Sequence, residues 1–141
     1  MGIRLTIEGA ETISLDEHSI ETCKFLTDTP DDSNARSTDV VNTMILTGRI
    51  LTAVDGDAAD DTMKIAKWSV VRAESSDSYR KATVEIVSAN QIVRKVHFPN
   101  AFVVDYQERY GDTEGIGEFT LVIRQKKDKF ELTTIDGGYS S

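Results

Sequence analysis

Apolar and polar side chains alternate with a period of two along most of this chain. Ile3, Leu5 and Ile7 interleave with Arg4, Thr6 and Glu8, the pattern of a strand with one buried and one wet face. A second strand is expected at 19–26. From Val40 to Thr52 runs a longer β-rich stretch holding Met44, Ile45, Leu46, Ile50 and Leu51, which spans roughly 40 Å if fully extended. Alternation returns at 79–87, with Ala82, Val84 and Ile86 on one face and Lys81, Thr83 and Glu85 on the other. Further strands are expected at 92–98, 100–108 and 118–126, the last setting Phe119, Leu121 and Ile123 against Thr120, Val122 and Arg124. A short final run at 129–134 carries Phe130 and Leu132.

One segment changes period. Asp55, Asp57, Asp60 and Asp61 precede Met63, Lys64, Ile65, Ala66, Lys67, Trp68, Val70 and Val71. The spacing predicts a helix from Asp57 to Val71, capped by Asp57 and with Asp60 and Asp61 at its positive end. Met63, Ala66 or Lys67, and Val70 form its stripe, and Trp68 anchors it against a sheet. Between the second and third strands, residues 27–39 lack large apolar side chains apart from Pro30 and are rich in turn formers. Unstructured connections of this length are uncommon in compact domains and tend to be binding loops or segments ordered by a partner.

Seven or eight strands with short connections and one helix place the chain in the mainly β class. The expected architecture is a single antiparallel β-barrel, closed or nearly closed, or else a sandwich, with one flanking helix and one long extended loop. No repeat, linker or low-complexity stretch divides residues 1–141, so one domain is expected.

Composition narrows the function. Hydrophobic residues at 39% and charged residues at 28%, with two Pro and nine Gly, mark an ordered globular chain. No apolar run approaches the roughly 20 residues of a membrane-spanning helix, and the alternating N-terminus does not form a signal core. Neither membrane insertion nor signal-driven export is expected. A net charge of −8 is unsuited to neutralising phosphates, so direct nucleic-acid recognition is not expected. The single cysteine, Cys23, excludes an internal disulfide and fits synthesis in a reducing cytoplasm. With no activating base nearby in the sequence, it is expected to pack as a small side chain.

Other candidate chemistry resolves into ordinary structure. An EF-hand starting at Asp55 requires Gly at its sixth position and Glu at its twelfth, where this chain has Asp60 and Ala66. His18, in an acidic turn, and His97, on a strand, lack the spacing of a zinc site. Gly111, Gly115 and Gly117 lie between two expected strands among acids, which fits a hairpin and not a phosphate loop. No nucleophile elbow or distinctive carboxylate pair is present. Neither catalysis nor a cofactor is expected.

The order of elements in the C-terminal half carries a resemblance. A helix leads to a strand beginning Tyr79-Arg80, then to Phe98-Pro99-Asn100-Ala101, then to Val103-Val104-Asp105-Tyr106, a Gly/Glu-rich turn and a further strand. This order resembles the haemolysin-coregulated protein (Hcp) of type VI secretion and the related tail-tube proteins of contractile injection machines. The matching positions are Asn100-Ala101-Phe102-Val103-Val104 and Glu118-Phe119-Thr120-Leu121-Val122, and Arg4-Leu5-Thr6-Ile7-Glu8-Gly9 resembles that family's first strand.

The resemblance implies a β-barrel subunit whose sixfold rings stack into a hollow tube, with self, sheath, baseplate and cargo proteins as partners. Such a subunit is made and assembled in the cytoplasm and then becomes part of a phage-like particle or an injected tube. The machine stays open among type VI secretion, an extracellular injection system, a bacteriocin and a phage tail. In this reading Asp31, Asp32 and Arg36 of the long loop make the contacts between stacked rings. The alternative is a monomeric β-barrel that binds a small ligand in an apolar internal pocket.

Overall fold

A computed structural model of the chain describes residues 1–28, 41–50, 62–71, 75, 78–111, 117–125 and 133–140. Among them nine strands and one helix follow in order: β1 (Gly2–Glu8), β2 (Ile13–Leu15), β3 (Ile20–Asp28), β4 (Val41–Ile50), α1 (Thr62–Ser69), β5 (Arg80–Ser88), β6 (Gln91–Arg109), β7 (Gly117–Gln125), β8 (Thr134–Asp136) and β9 (Tyr139–Ser140). All pairings are antiparallel, in the order β2-β1-β5-β6-β7-β4-β3, with β8 and β9 also on β6. The mainly β class expected from the alternation is what the chain adopts.

The inward positions of each strand are those the alternation marks. Leu5 and Ile7 of β1, Met44 and Leu46 of β4, Ala82 and Val84 of β5, Val96, Phe98 and Ala101 of β6, and Phe119, Leu121 and Ile123 of β7 form one core. The short β2, which the sequence pattern did not signal, contributes Ile13 and Leu15. Its three residues are too few for a period to register.

The sheet curls round this core but does not close, so of the closed and nearly closed forms expected the chain does not take the closed one. Its path ends on β2 and on β3, and no ladder joins them. The reason lies in the turn between them. Leu15 pairs with Leu5 of β1, while Ser19 O accepts a 2.7 Å bond from Arg49 N at the end of β4. The turn, held by Asp16 O accepting from Ser19 N and Ile20 N at 3.0 Å, thus bridges the gap without zipping it. Gly48 permits this approach: a Cβ there would run into Ser19 O and, at 2.7 Å, the Phe119 ring.

The two strands expected at 92–98 and 100–108 are one strand of 19 residues. Proline lacks the N–H that a central ladder needs and usually ends a strand or sits at a bulge. Pro99 sits at a bulge: Ala82 pairs with Phe98 but Arg80 pairs with Ala101, so two residues of β6 oppose Lys81 alone. The next N–H, of Asn100, donates to Gln125 Oε1 at 3.0 Å, and Gln125 is 1% exposed. A side-chain amide thereby replaces the missing ladder bond and keeps β6 continuous while it passes from β5 to β7.

Helix α1 ends at Ser69, and the 3.1 Å bond from Val71 N to Trp68 O closes its last turn. The expected start at Asp57 and its acidic first turn lie outside the described residues. The stripe is corrected: Thr62, Ile65 and Trp68 are buried, whereas Met63 and Val70 face solvent. Trp68 sets this rotation. Its indole Nε1 donates to Ser78 O at 3.1 Å, and the buried Arg80 guanidinium stands 5.4 Å from its ring centroid. The expected anchoring of the helix on the sheet through Trp68 is therefore observed.

At the other end of β5, Ala89 and Asn90 make a two-residue turn with φ of 52° and 64°, the left-handed pair of a type I′ hairpin. The last expected run, 129–134, overlaps residues outside the description; β8 begins at Thr134. Gly138, at φ +80°, donates its N–H to Ile92 O at 2.7 Å and ties this end of the chain to β6.

Candidate assembly surface

The ladders leave two long backbone edges without a strand partner among the described residues. β5 ends its pairing with β6 at Ala101, while β6 runs on to Arg109 with β7 on its other side only. The β6 edge from Phe102 to Arg109 is therefore open. The second is the outer edge of β3, from Ile20 to Asp28, whose inner edge pairs with β4. Exposed N–H and C=O rows of this length are templates for another chain.

The side chains beside the β6 edge are ordered. Tyr106 and Tyr110 both donate to the Glu108 carboxylate, at 2.7 and 3.0 Å, and Gln107 Nε2 donates to Asp105 Oδ2 at 2.9 Å. Tyr106 also stacks on the buried Phe119, with centroids 6.4 Å apart.

Directly paired residues share a sheet face, so register fixes what each face displays. Across β4, β7 and β6 runs Arg49, Glu118 and Arg109, extended to β3 by Glu21. Arg49 pairs with Glu21 at 3.4 Å and Arg109 with Glu118 at 3.8 Å. The neighbouring row is Thr22, Thr47, Thr120 and Gln107, with the hydroxyls of Thr22 and Thr47 hydrogen-bonded. The opposite half of the sheet repeats the scheme: Arg4, Glu85, Lys95 and Asp136 in one row, Ser14, Thr6, Thr83, His97 and Thr134 in the next. These faces are charge-alternating and rich in hydroxyls.

The residues singled out from sequence do not converge. Asp31, Asp32 and Arg36 lie outside the described residues, as do Asp55 to Asp61. His18 is exposed in the turn before β3, its N–H donating to Asp16 Oδ1 at 2.9 Å. His97 lies on β6, its Nδ1 sharing a 2.7 Å hydrogen bond with Thr83 Oγ1. Burial holds its pKa below the usual 6.5; Lys81 and Lys95 act the same way and Glu8 opposes them. Cys23 is half-buried on β3, and burial pushes its thiol up to about 11, which keeps it protonated. Among the described residues no three His, Cys, Asp or Glu side chains gather to hold a metal. β6 and β7 are antiparallel neighbours, while residues 112–116, with Gly115 of the expected hairpin, lie outside the described residues.

The open edges were hidden from the sequence because an edge is a property of pairing. The one local signal was Pro99, where a strand changes neighbours.

No family model matches the chain, and no curated protein matches it. Solved structures do. Hcp1 from Flavobacterium johnsoniae superposes with a TM-score of 0.55 at 14% identity, over 98% of this chain and 99% of that one. Hcp1 from the E. coli EAEC 042 pathovar gives 0.56 at 11% identity, over 97% and 99%. A chain of the sheath–tube complex of the extracellular contractile injection system PVC gives 0.52 at 10% identity, over 96% and 88%. At these identities the likeness is one of fold. The chain therefore has an Hcp-like tail-tube fold.

Proposed function

We propose that this protein is the structural subunit of the inner tube of a contractile injection or phage-tail-like machine, with copies closing into hexameric rings that stack around a central channel. The observation that carries this reading is the pair of open edges, β6 beyond Ala101 and β3 along Ile20–Asp28, on a chain with an Hcp-like fold. A strand from a neighbouring copy satisfies such an edge, and a repeated edge-to-edge contact that closes on itself gives a ring. Sheath, baseplate and cargo proteins are the further partners in this reading. Synthesis and assembly take place in the cytoplasm, before the subunit joins a particle.

Stacking is assigned to the segment around Asp31, Asp32 and Arg36. With few large apolar side chains of its own, it gains little from burial to offset an ordering cost of about 1–2 kcal/mol per residue, and an adjacent ring supplies the missing surface. Replacing residues 30–37 by a tight Gly-containing turn is expected to leave the fold and the rings intact but to stop tube growth, as read by circular dichroism and electron microscopy. Long tubes from the shortened protein would remove the stacking role.

A further inference from the structure

The core does not fill the open barrel to its end. Between β3 and the β5–β6–β8 side lies a cavity of about 190 Å³, walled by Cys23, Phe25, Met44, Val84, Ile86 and Val96. Arg94 and Ile135 also line it, and both are exposed, so they stand where the cavity meets solvent. An apolar cavity of about 150 Å³ is large enough to hold benzene and stays dry when empty.

Arg94 is out of pattern. Its partner in register is Ile86, and the inward series around it runs Arg94, Val96, Phe98. The arginines of β1, β4 and the end of β6 are ion-paired, Arg4 to Glu17, Arg49 to Glu21 and Arg109 to Glu118. Arg124 donates to Thr43 Oγ1 at 3.2 Å. The Arg94 side chain has no hydrogen bond or ion pair with any described residue. An apolar chamber with one uncommitted guanidinium at its mouth is complementary to a small molecule with an apolar body and a single carboxylate.

We propose that this cavity binds a short-chain or aromatic monocarboxylate, its apolar part among Phe25, Met44, Val84 and Val96 and its carboxylate on Arg94. Burial of the body supplies most of the affinity, and the guanidinium supplies the preference for an acid over its neutral analogue. Nothing in this assignment depends on assembly into a tube.

Methionine methyl labelling provides the test, because Met44 is fully buried in the cavity wall while Met1 and Met63 are exposed. Hexanoate titrated into the labelled protein is expected to shift the Met44 methyl resonance with saturation and leave the Met63 resonance in place. Hexan-1-ol is expected to bind about two- to fivefold more weakly, the gain of one exposed ion pair. Arg94→Gln should erase that difference without changing hexan-1-ol binding. Ile135→Asp, which places a competing carboxylate at the mouth, should likewise erase the preference for the acid. A Met44 resonance that stays fixed at millimolar hexanoate would overturn the site. An acid preference that survives Arg94→Gln would overturn the role of the guanidinium.

Discussion

Gln125 is a polar side chain buried in the described core. It is 1% exposed and its Oε1 accepts the Asn100 N–H at the bulge where β6 changes partner. Gln125→Leu preserves the volume but leaves that part-buried donor without its acceptor, at a cost of about 1 kcal/mol. Urea denaturation should show the lowered midpoint. His97 makes a contrasting prediction. Its folded-state pKa lies below the 6.5 of the unfolded chain, so the unfolded state takes up the proton first as pH falls. The stabilisation from neutral His97 is complete above about pH 6.5 and is lost as pH drops from there towards the folded value. His97→Gln should flatten the pH dependence of the urea midpoint between pH 7.5 and 5.5. An unchanged slope would place its origin elsewhere. Sequence could flag His97 only as a strand residue, because the Thr83 hydroxyl and the lysines that surround it come from register.

The elements that were legible are those whose pattern repeats. Ala82 and Val84, and Phe119, Leu121 and Ile123, face inward as alternation demands, because a residue on the wrong face would be buried polar or exposed apolar. Elements failed to read where one local device overrode the pattern. The pattern predicts two strands, 92–98 and 100–108, on either side of Pro99, yet the bulge and Gln125 carry β6 through it. The helical spacing predicts a stripe of Met63, Ala66 or Lys67, and Val70, yet with the Trp68 indole hydrogen-bonded inward Met63 and Val70 face solvent. The β5–β6 hairpin offers a further test. Ala89 holds a left-handed conformation that its Cβ disfavours, and Gly is at ease there. Ala89→Gly is expected to raise stability by about 0.5–1 kcal/mol, readable as a higher thermal midpoint; a lower midpoint would mean that the turn is held by something beyond its dihedrals.

Across the whole molecule, charge and sheet edges divide the protein into a scaffold and its connections. The described residues hold eleven acidic and eleven basic side chains, so the formal charge of −8 resides entirely in segments 29–40, 51–61, 72–74, 76–77, 112–116 and 126–132. The sheet faces are accordingly balanced, with alternating rows such as Arg4, Glu85, Lys95 and Asp136. An acidic total therefore does not translate into acidic sheet faces. Balanced faces suit surfaces that pass or contact other proteins without a dominant single-sign field. The edges carry the rest. A monomer in solution must keep two backbone rows hydrated, and an exposed edge of this length is a liability that a closed ring removes. The most direct measurement is electron microscopy of the purified full-length protein with class averaging. Rings with sixfold symmetry and a central opening, alone or stacked, are the expected result. Particles that remain 15.6 kDa monomers at every concentration would contradict it.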